Sequence, residues 1–488
     1  MRVDFVGHAS LLVRQGALTL LSDPWWTGGA FGDQWFPYPF PVPERFPLHD
    51  LDGLYISHGH EDHLHPGTLK ALAPDNPRTR VLIPRRYDAG MCSYIQRLGF
   101  ANIQELPSGT STTLEHGPDR LQATIITHLD DSLLVVEADG EVLVNANDAL
   151  HASRRDVLDE YASLLHARWP RIDYLFCGFG GASYFPNCIH APGKDDVAVA
   201  RERELLFLRN FARVAELLEP RLAIPFAAHF VLPEERTWWI SATRLAMGSP
   251  TAIVRRYLPS RLGARVADLQ PGDWVEDGQV HASPAPLLAL DQVRTAVLER
   301  YPPPAPDRAL DRQDLLTLAD EIRASAQRTV DRPGADDPFD VELRLWDAPG
   351  SALRVRRTDG QVAVALTAPA ADAPPAVVET RSAFVRRLMR ARFARDLISV
   401  GYGAQVYLRD AAAVRSSPHE RMLNALSLPT PRWRERLRTD PWRAASFLLL
   451  DPSMRYAARR RFLGAANGAA YEPALYDIGD WVSGDLET

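Results

Sequence analysis

Residues 51–65 read LDGLYISHGHEDHLH. Leu51 to Ile56 is a short apolar run of strand type that leads straight into Ser57-His58-Gly59-His60. Four histidines, His58, His60, His63 and His65, then crowd around Asp62 in a single loop. Residues two apart in extended chain share a face, so His58 and His60 point the same way. Asp62 and His63 face a second position beside the first. Imidazole and carboxylate are the donors that zinc and iron accept. The spacing His-x-His-x-Asp-His at the end of a strand therefore predicts a metal-binding loop. From Pro66 to Leu72 the chain reads as a helix, with proline at its first turn.

Other strands of the first half also end at candidate ligands. Residues 1–23 read as two short strands about a turn at Gln15-Gly16, with Val3, Phe5 and Leu11 to Val13 in one apolar set and Leu18 to Leu21 in the other. Val81 to Pro84 is a buried strand, and Tyr94 to Leu98 lies on a helix. Leu121 to Thr127 alternates as a strand and ends at His128. Leu133 to Ala138 and Glu141 to Val144 form a hairpin about Asp139-Gly140, with Asp148 just beyond it. Ile172 to Cys177 is a strand, Leu205 to Leu218 has helical periodicity, and the strand Leu222 to Phe226 stops near His229. Twelve of the 14 histidines precede residue 230, so any histidine metal site belongs to this half. The alternation of strands and helices, each strand opening into a polar loop, gives an α/β class.

His58-x-His60-x-Asp62-His63 resembles the signature of the metallo-β-lactamase superfamily. Gly7-His8-Ala9-Ser10 and Ser22-Asp23-Pro24 resemble the UlaG-like branch of it. The resemblance implies an αββα sandwich with two metal ions, followed here by a second, smaller α/β domain. Carried over by position, His58, His60 and His128 would bind the first metal. Asp62, His63 and His229 would bind the second, with Asp148 bridging. His8 and Asp23 would orient ligands from behind. His65, His49, His116, His151, His166 and His190 read as structural or surface histidines. Two further segments, Gly178-Phe179-Gly180-Gly181-Ala182-Ser183-Tyr184-Phe185-Pro186 and Pro220 to Val231, resemble the CMP-N-acetylneuraminate hydroxylase family. That likeness spans roughly residues 1–245. Dinuclear natural-product monooxygenases on the same fold are similar too.

These resemblances imply a non-haem di-iron monooxygenase that uses dioxygen on a small-molecule substrate. The ligand types leave a zinc or manganese hydrolase open as the alternative, because histidine and carboxylate suit all three metals. No GxSxG spacing or cysteine nucleophile competes. Cys92, Cys177 and Cys188 are the only cysteines. An iron–sulfur cluster needs four Cys, or two Cys and two His, so electrons are expected from a separate ferredoxin or reductase. None of the three forms a CxxC pair, and three cannot make a disulfide framework, so a reducing, cytoplasmic setting is expected.

Composition bounds the partners. The apolar fraction is 46%, and the net charge is −7. Without a basic face, neither nucleic acid nor an anionic membrane surface is an expected partner. Basic residues are nearly all arginine; lysine occurs only at Lys70 and Lys194. The opening MRVDFVGHASLLV lacks the basic start and cleavage site of a secretory leader, and no apolar run is long enough to span a membrane.

The segment from Trp25 to Pro47 is rich in both aromatics and prolines. Proline at alternate positions forbids helix and central strand there. Trp25, Trp26, Trp35 and Tyr38 are the expected substrate-facing residues of this loop. Tyr301-Pro302-Pro303-Pro304 suggests a linker. The expected domains are therefore 1–295, catalytic; 296–307, linker; 308–430, a second α/β unit; and 431–488, a mostly helical tail. The second unit should hold a helix over Leu315 to Ala326, strands near Val341 to Trp346, Leu353 to Arg356 and Val362 to Leu366, and a helix near Ser382 to Ala394. Its strands and Gly401-Tyr402-Gly403-Ala404 are similar to the sterol-carrier type of fold.

Overall fold

The computed structural model describes residues 1–86, 90–283, 287–303, 305, 307–330, 337–369, 374–428, 438, 440–450 and 452. Pro304, and most of the tail expected over 431–488, lie outside this set. The first half is two β-sheets packed face to face with helices outside. One sheet has eight strands, in the order Gln279–His281, Trp274–Glu276, Arg2–Gly7, Ser10–Gln15, Leu18–Ser22, Gly53–Tyr55, Arg80–Pro84 and Ile103–Leu106. The other has six, in the order Leu222–Phe226, Tyr174–Gly178, Glu141–Asn147, Asp131–Ala138, Asp119–His128 and Thr110–His116. This is the αββα sandwich.

Period-two alternation sorts the strands between layers. Leu134 and Val136 face the core between the sheets, with Phe5, Leu11, Tyr55 and Phe176. Leu133 and Val135 face outward, under the helices Arg155–Arg168 and Asp196–Leu218. Leu54 and Ile56 likewise turn away from Tyr55, toward the helix Pro66–Leu72. Each fully buried Leu or Phe contributes about 1.5–3 kcal/mol, so the pattern fixes register: a one-residue slip would expose a whole face.

The N-terminus differs from the sequence expectation. It forms three strands where two were expected, because the chain also reverses at Gly7-His8. Gly7 has φ +150°, and a side chain there would come within 2.8 Å of Pro41. His8 follows with φ 48°. That reversal buries His8 completely at one end of the sandwich.

The second unit is a six-stranded sheet ordered Ile189–His190, Ala404–Leu408, Ala376–Thr380, Phe339–Leu345, Ala352–Thr358 and Gln361–Thr367. Its first strand comes from the N-terminal half of the sequence: Ile189 pairs with Val406 and His190 with Tyr407. A single apolar cluster joins Trp25, Phe31, Trp35 and Phe230 to Leu318, Ile322, Leu397 and Tyr402. The helix Leu290–Arg300 runs through the start of the expected linker, with Val293, Val297 and Tyr301 buried against Phe36 and Val231. Their burial moves the exposed connection to Pro302 and beyond. Of the expected tail, the helix Pro441–Leu450 is described; Arg443 in it grips Glu105 with both Nη atoms, at 2.9 and 2.7 Å. Among the described residues, no helix is long and apolar enough to cross a membrane.

Pro302, Pro303, Ala305 and Asp307 are exposed, so limited proteolysis should cut first over 302–307. The shared sheet and core then require the two pieces to elute together on gel filtration until denaturant is added. Pieces that separate in plain buffer would contradict the shared core.

Candidate metal centre

The strand Gly53–Tyr55 delivers Ser57 and the histidine loop to one end of the sandwich. The loop turns tightly, with the Leu64 N–H donating to the His60 carbonyl at 2.8 Å. His65 closes it. Its Nδ1 accepts from the Thr68 N–H at 3.1 Å and so caps the helix Pro66–Leu72, which leaves Nε2–H to donate to the Gly29 carbonyl at 3.1 Å.

Asp23 organises what the loop presents. Its carboxylate accepts from the Ser57 N–H at 2.8 Å, the Ser57 hydroxyl at 2.7 Å, the Asn147 amide, and His63 Nδ1–H at 3.1 Å. The Ser57 hydroxyl, having donated to Asp23, accepts from His58 Nδ1–H at 2.9 Å. Both histidines are thereby left with Nε2 bearing a lone pair. Behind Asp62, His8 Nε2–H donates to Oδ2 at 3.1 Å, and Trp25 stands edge-on to the His8 ring at 4.8 Å.

The lone pairs converge in adjacent groups. His58 Nε2 lies 2.8 Å from His60 Nδ1 and 3.5 Å from Asp131 Oδ1. His63 Nε2 lies 3.4 Å from both Asp62 Oδ2 and Asp148 Oδ2. The rings of His58 and His63 are 4.2 Å apart, and His58, His63 and Asp148 themselves form a group whose ligand atoms lie within 4.8 Å of one another. Among the described residues, His63 Nε2, Asp62 Oδ1 and Asp131 Oδ1 are buried with no hydrogen-bond partner. Buried carboxylate and imidazole atoms with unspent lone pairs, facing one another, are a donor set that fits two cations.

Titration follows the same geometry. Burial opposes charge on His63, but Asp62 and Asp148 outweigh it and hold the imidazole well above its usual range. Burial also works against Asp62, whose carboxyl is nevertheless held well below its usual range by His63 and His8. Burial and the neighbouring His63 and His60 push His58 well down. Asp131, deep beside these groups, is pushed up to about 7 by burial.

Two of the expected ligands lie elsewhere. His128 continues the alternation of Ile126, which faces the outer helices. It meets Tyr161 on one of those helices, with Nδ1 3.1 Å from the Tyr161 hydroxyl and Nε2 2.9 Å from Ser153 Oγ. His229 follows Ala227, which has φ 57°, and its ring sits between Phe5 and Phe179. Burial pushes each of the two down to about 3, and neither belongs to the groups above. Asp131, absent from the expected set, does. Its only sequence signal is position: the turn Leu129-Asp130 returns the chain so that Asp131 pairs with His128 across the strands. The expected substrate-facing residues are mostly core. Trp25 and Trp35 are wholly buried, Tyr38 nearly so, and Trp35 stacks on Phe230 at 3.7 Å; Trp26 alone of the four is half-buried. Their prolines hold the loop against protein rather than over an opening. The metal cluster meets solvent at Gly59 and half-buried His60.

Residues 2–157 match the model of the β-lactamase superfamily domain. The N-terminal unit is a β-lactamase superfamily domain. Within it and beyond, a protein of Mycolicibacterium smegmatis named as a Rieske 2Fe-2S iron-sulfur protein is 31% identical over 222 residues, 43% of this chain and 41% of that protein. The cytidine monophosphate-N-acetylneuraminic acid hydroxylase of Danio rerio is 28% identical over 242 residues, 47% of this chain and 38% of that protein. The chain thus spans about two-fifths of the length of these relatives. A solved structure of a CmlA β-hydroxylase mutant is 17% identical, with TM-score 0.39, over 56% of this chain and 53% of that one.

Because Asp23 orients His63 directly and His58 through Ser57, Asp23→Ala should weaken metal binding to this β-lactamase superfamily domain by about 10–100-fold. Chelator competition measures it. Unchanged affinity would show that the carboxylate has no orienting role.

Proposed function

We propose that this chain is a non-haem di-iron monooxygenase that hydroxylates a small molecule with dioxygen and electrons from a separate protein. The observation that carries the reading is the likeness of about half of this chain to named hydroxylases, 28% identical over 242 residues in the Danio rerio protein. Bound iron would supply the reduction of dioxygen, which zinc cannot do. His58, His60, Asp62, His63 and Asp148 would hold the two ions. Asp23 and Ser57 fix the orientation of His58 and His63, so that neither ring must turn before binding. His8 holds Asp62 in place by its hydrogen bond. The buried walls, Trp25 and Phe230 among them, keep water from the His8 side of the cluster. Substrate would approach at Gly59 and His60, where the cluster is open.

Relatives named as Rieske proteins support a one-electron supply. Among the described residues, none of the three cysteines joins a group of ligating side chains, and Cys177 and Cys188 are buried. A ferredoxin or reductase would provide the electrons.

The test compares iron-loaded and zinc-loaded protein. Reduced iron protein should consume oxygen with a change in its optical spectrum, and its product should carry one atom from labelled dioxygen. Zinc protein should do neither. Anaerobic turnover by the zinc form at the rate of the aerated iron form, with the new oxygen drawn from labelled water, would instead establish a metal-dependent hydrolase.

A further inference from the structure

The geometry points to Asp131 as a metal-binding residue, completing with His58 and His60 a site of two histidines and one carboxylate, while His128 binds no metal. This rests on the reading that the histidine groups hold metal ions. Three observations carry it.

The first is convergence. His58 Nε2, His60 Nδ1 and an Asp131 oxygen lie within 4.8 Å of one another, and Asp131 Oδ1 is buried without a hydrogen-bond partner among the described residues. A buried carboxylate oxygen left in this state is destabilising, and a cation shared with two imidazoles removes that cost.

The second is the way the turn is held. Arg86 is buried, yet its guanidinium is spent on backbone. Nη1 donates to the Leu129 carbonyl at 2.6 Å, and Nη2 donates to the Asp130 carbonyl and, at 3.4 Å, to that of Ser57. The Ser132 hydroxyl donates to the same Ser57 carbonyl at 2.7 Å, and Tyr55 donates to the Ser132 carbonyl at 2.9 Å. The residue before His58 and the residues on both sides of Asp131 are therefore tied to one another. Those ties hold the carboxylate against His58 as a built position.

The third concerns His128. The Tyr161 hydroxyl donates to the Thr127 carbonyl at 2.7 Å, so its oxygen accepts from His128 Nδ1–H. Nε2 then carries the lone pair, and the Ser153 hydroxyl lies 2.9 Å from it. Both nitrogens are engaged on the helix side of the sheet, and His128 is in none of the groups of converging ligand atoms.

Two histidines and a carboxylate are a donor set that both iron(II) and zinc accept.

The test measures metal per chain in the full-length protein, by elemental analysis after loading with iron(II) or zinc and dialysis against a weak chelator. Asp131→Ala should lose one of two metal equivalents. Asp131→Asn, nearly the same shape, should lose the same equivalent, which excludes a folding artefact. Asp131→His, which restores a donor at the same position, should bind two again. His128→Ala should keep both metals. Retention of both metals by Asp131→Ala and Asp131→Asn, or loss of one by His128→Ala, would overturn the assignment. If His58→Ala and His60→Ala also keep both metals, the metal reading itself fails, whatever Asp131 does. None of these readouts depends on which reaction the protein catalyses.

Discussion

Burying carboxylates is the constraint around which this molecule is arranged. Asp23, Asp62 and Asp131 lie out of water at one end of a two-sheet sandwich, with Asp148 beside them. Removing such a group from water costs several kilocalories per mole unless donors or opposite charges replace the solvent. Asp23 is satisfied by backbone, hydroxyl, amide and imidazole donors at once. Asp62 leans on His8 and His63. The sheets bring these residues together, because strands that pair with hydrophobic faces inward must release their loops at a common edge. Apolar burial sets the frame, and electrostatics decides what can stand at its rim.

The C-terminal unit adds a second constraint. Gln34 donates at once to the Phe31 carbonyl at 2.6 Å and to the Leu397 carbonyl at 2.8 Å, and so ties the aromatic loop to the second unit. The Phe31 N–H in turn donates to Glu61, within the histidine loop. A chain of single contacts thus runs from the second unit to the residue beside Asp62. Side chains at Gly401 or Gly403 would collide with Phe31 or Gln34 and the Leu397 carbonyl, at 2.6 Å or less from the nearest. Close backbone approach, which only glycine permits, is what lets the two units meet this tightly.

The parts legible in the sequence were local. The spacing from His58 to His63 needs only an extended chain and a turn, and the helix from Pro66 to Leu72 and the strand from Leu222 to Phe226 follow from proline position and apolar runs. The strand ends were harder, since the direction of a last side chain depends on layer parity and on twist. His128 inherits the outward parity of Ile126, and His229 is turned by the left-handed Ala227. Asp131 looks like any acidic turn residue until Arg86, 45 positions earlier, ties its turn to Ser57. The strands Ile103–Leu106 and Thr110–His116 escaped because they are half-polar and lie at sheet edges, where the alternation weakens.

The strand Ile189–His190 finds its partner only when the chain has grown past Ala404–Leu408. His190 and Gln405, bonded at 2.9 Å, are 215 residues apart in sequence. Pairings of such separation are slow to form, because the loop must close before the contact returns any free energy. During synthesis the sandwich and its histidine loop emerge first. For that interval the edge next to Ile189 is unpaired, and the apolar surface around Trp35 and Phe230 faces water rather than Tyr402. The order of events on the ribosome is therefore part of this fold: the rim of the metal cluster exists early, and the wall behind it arrives last.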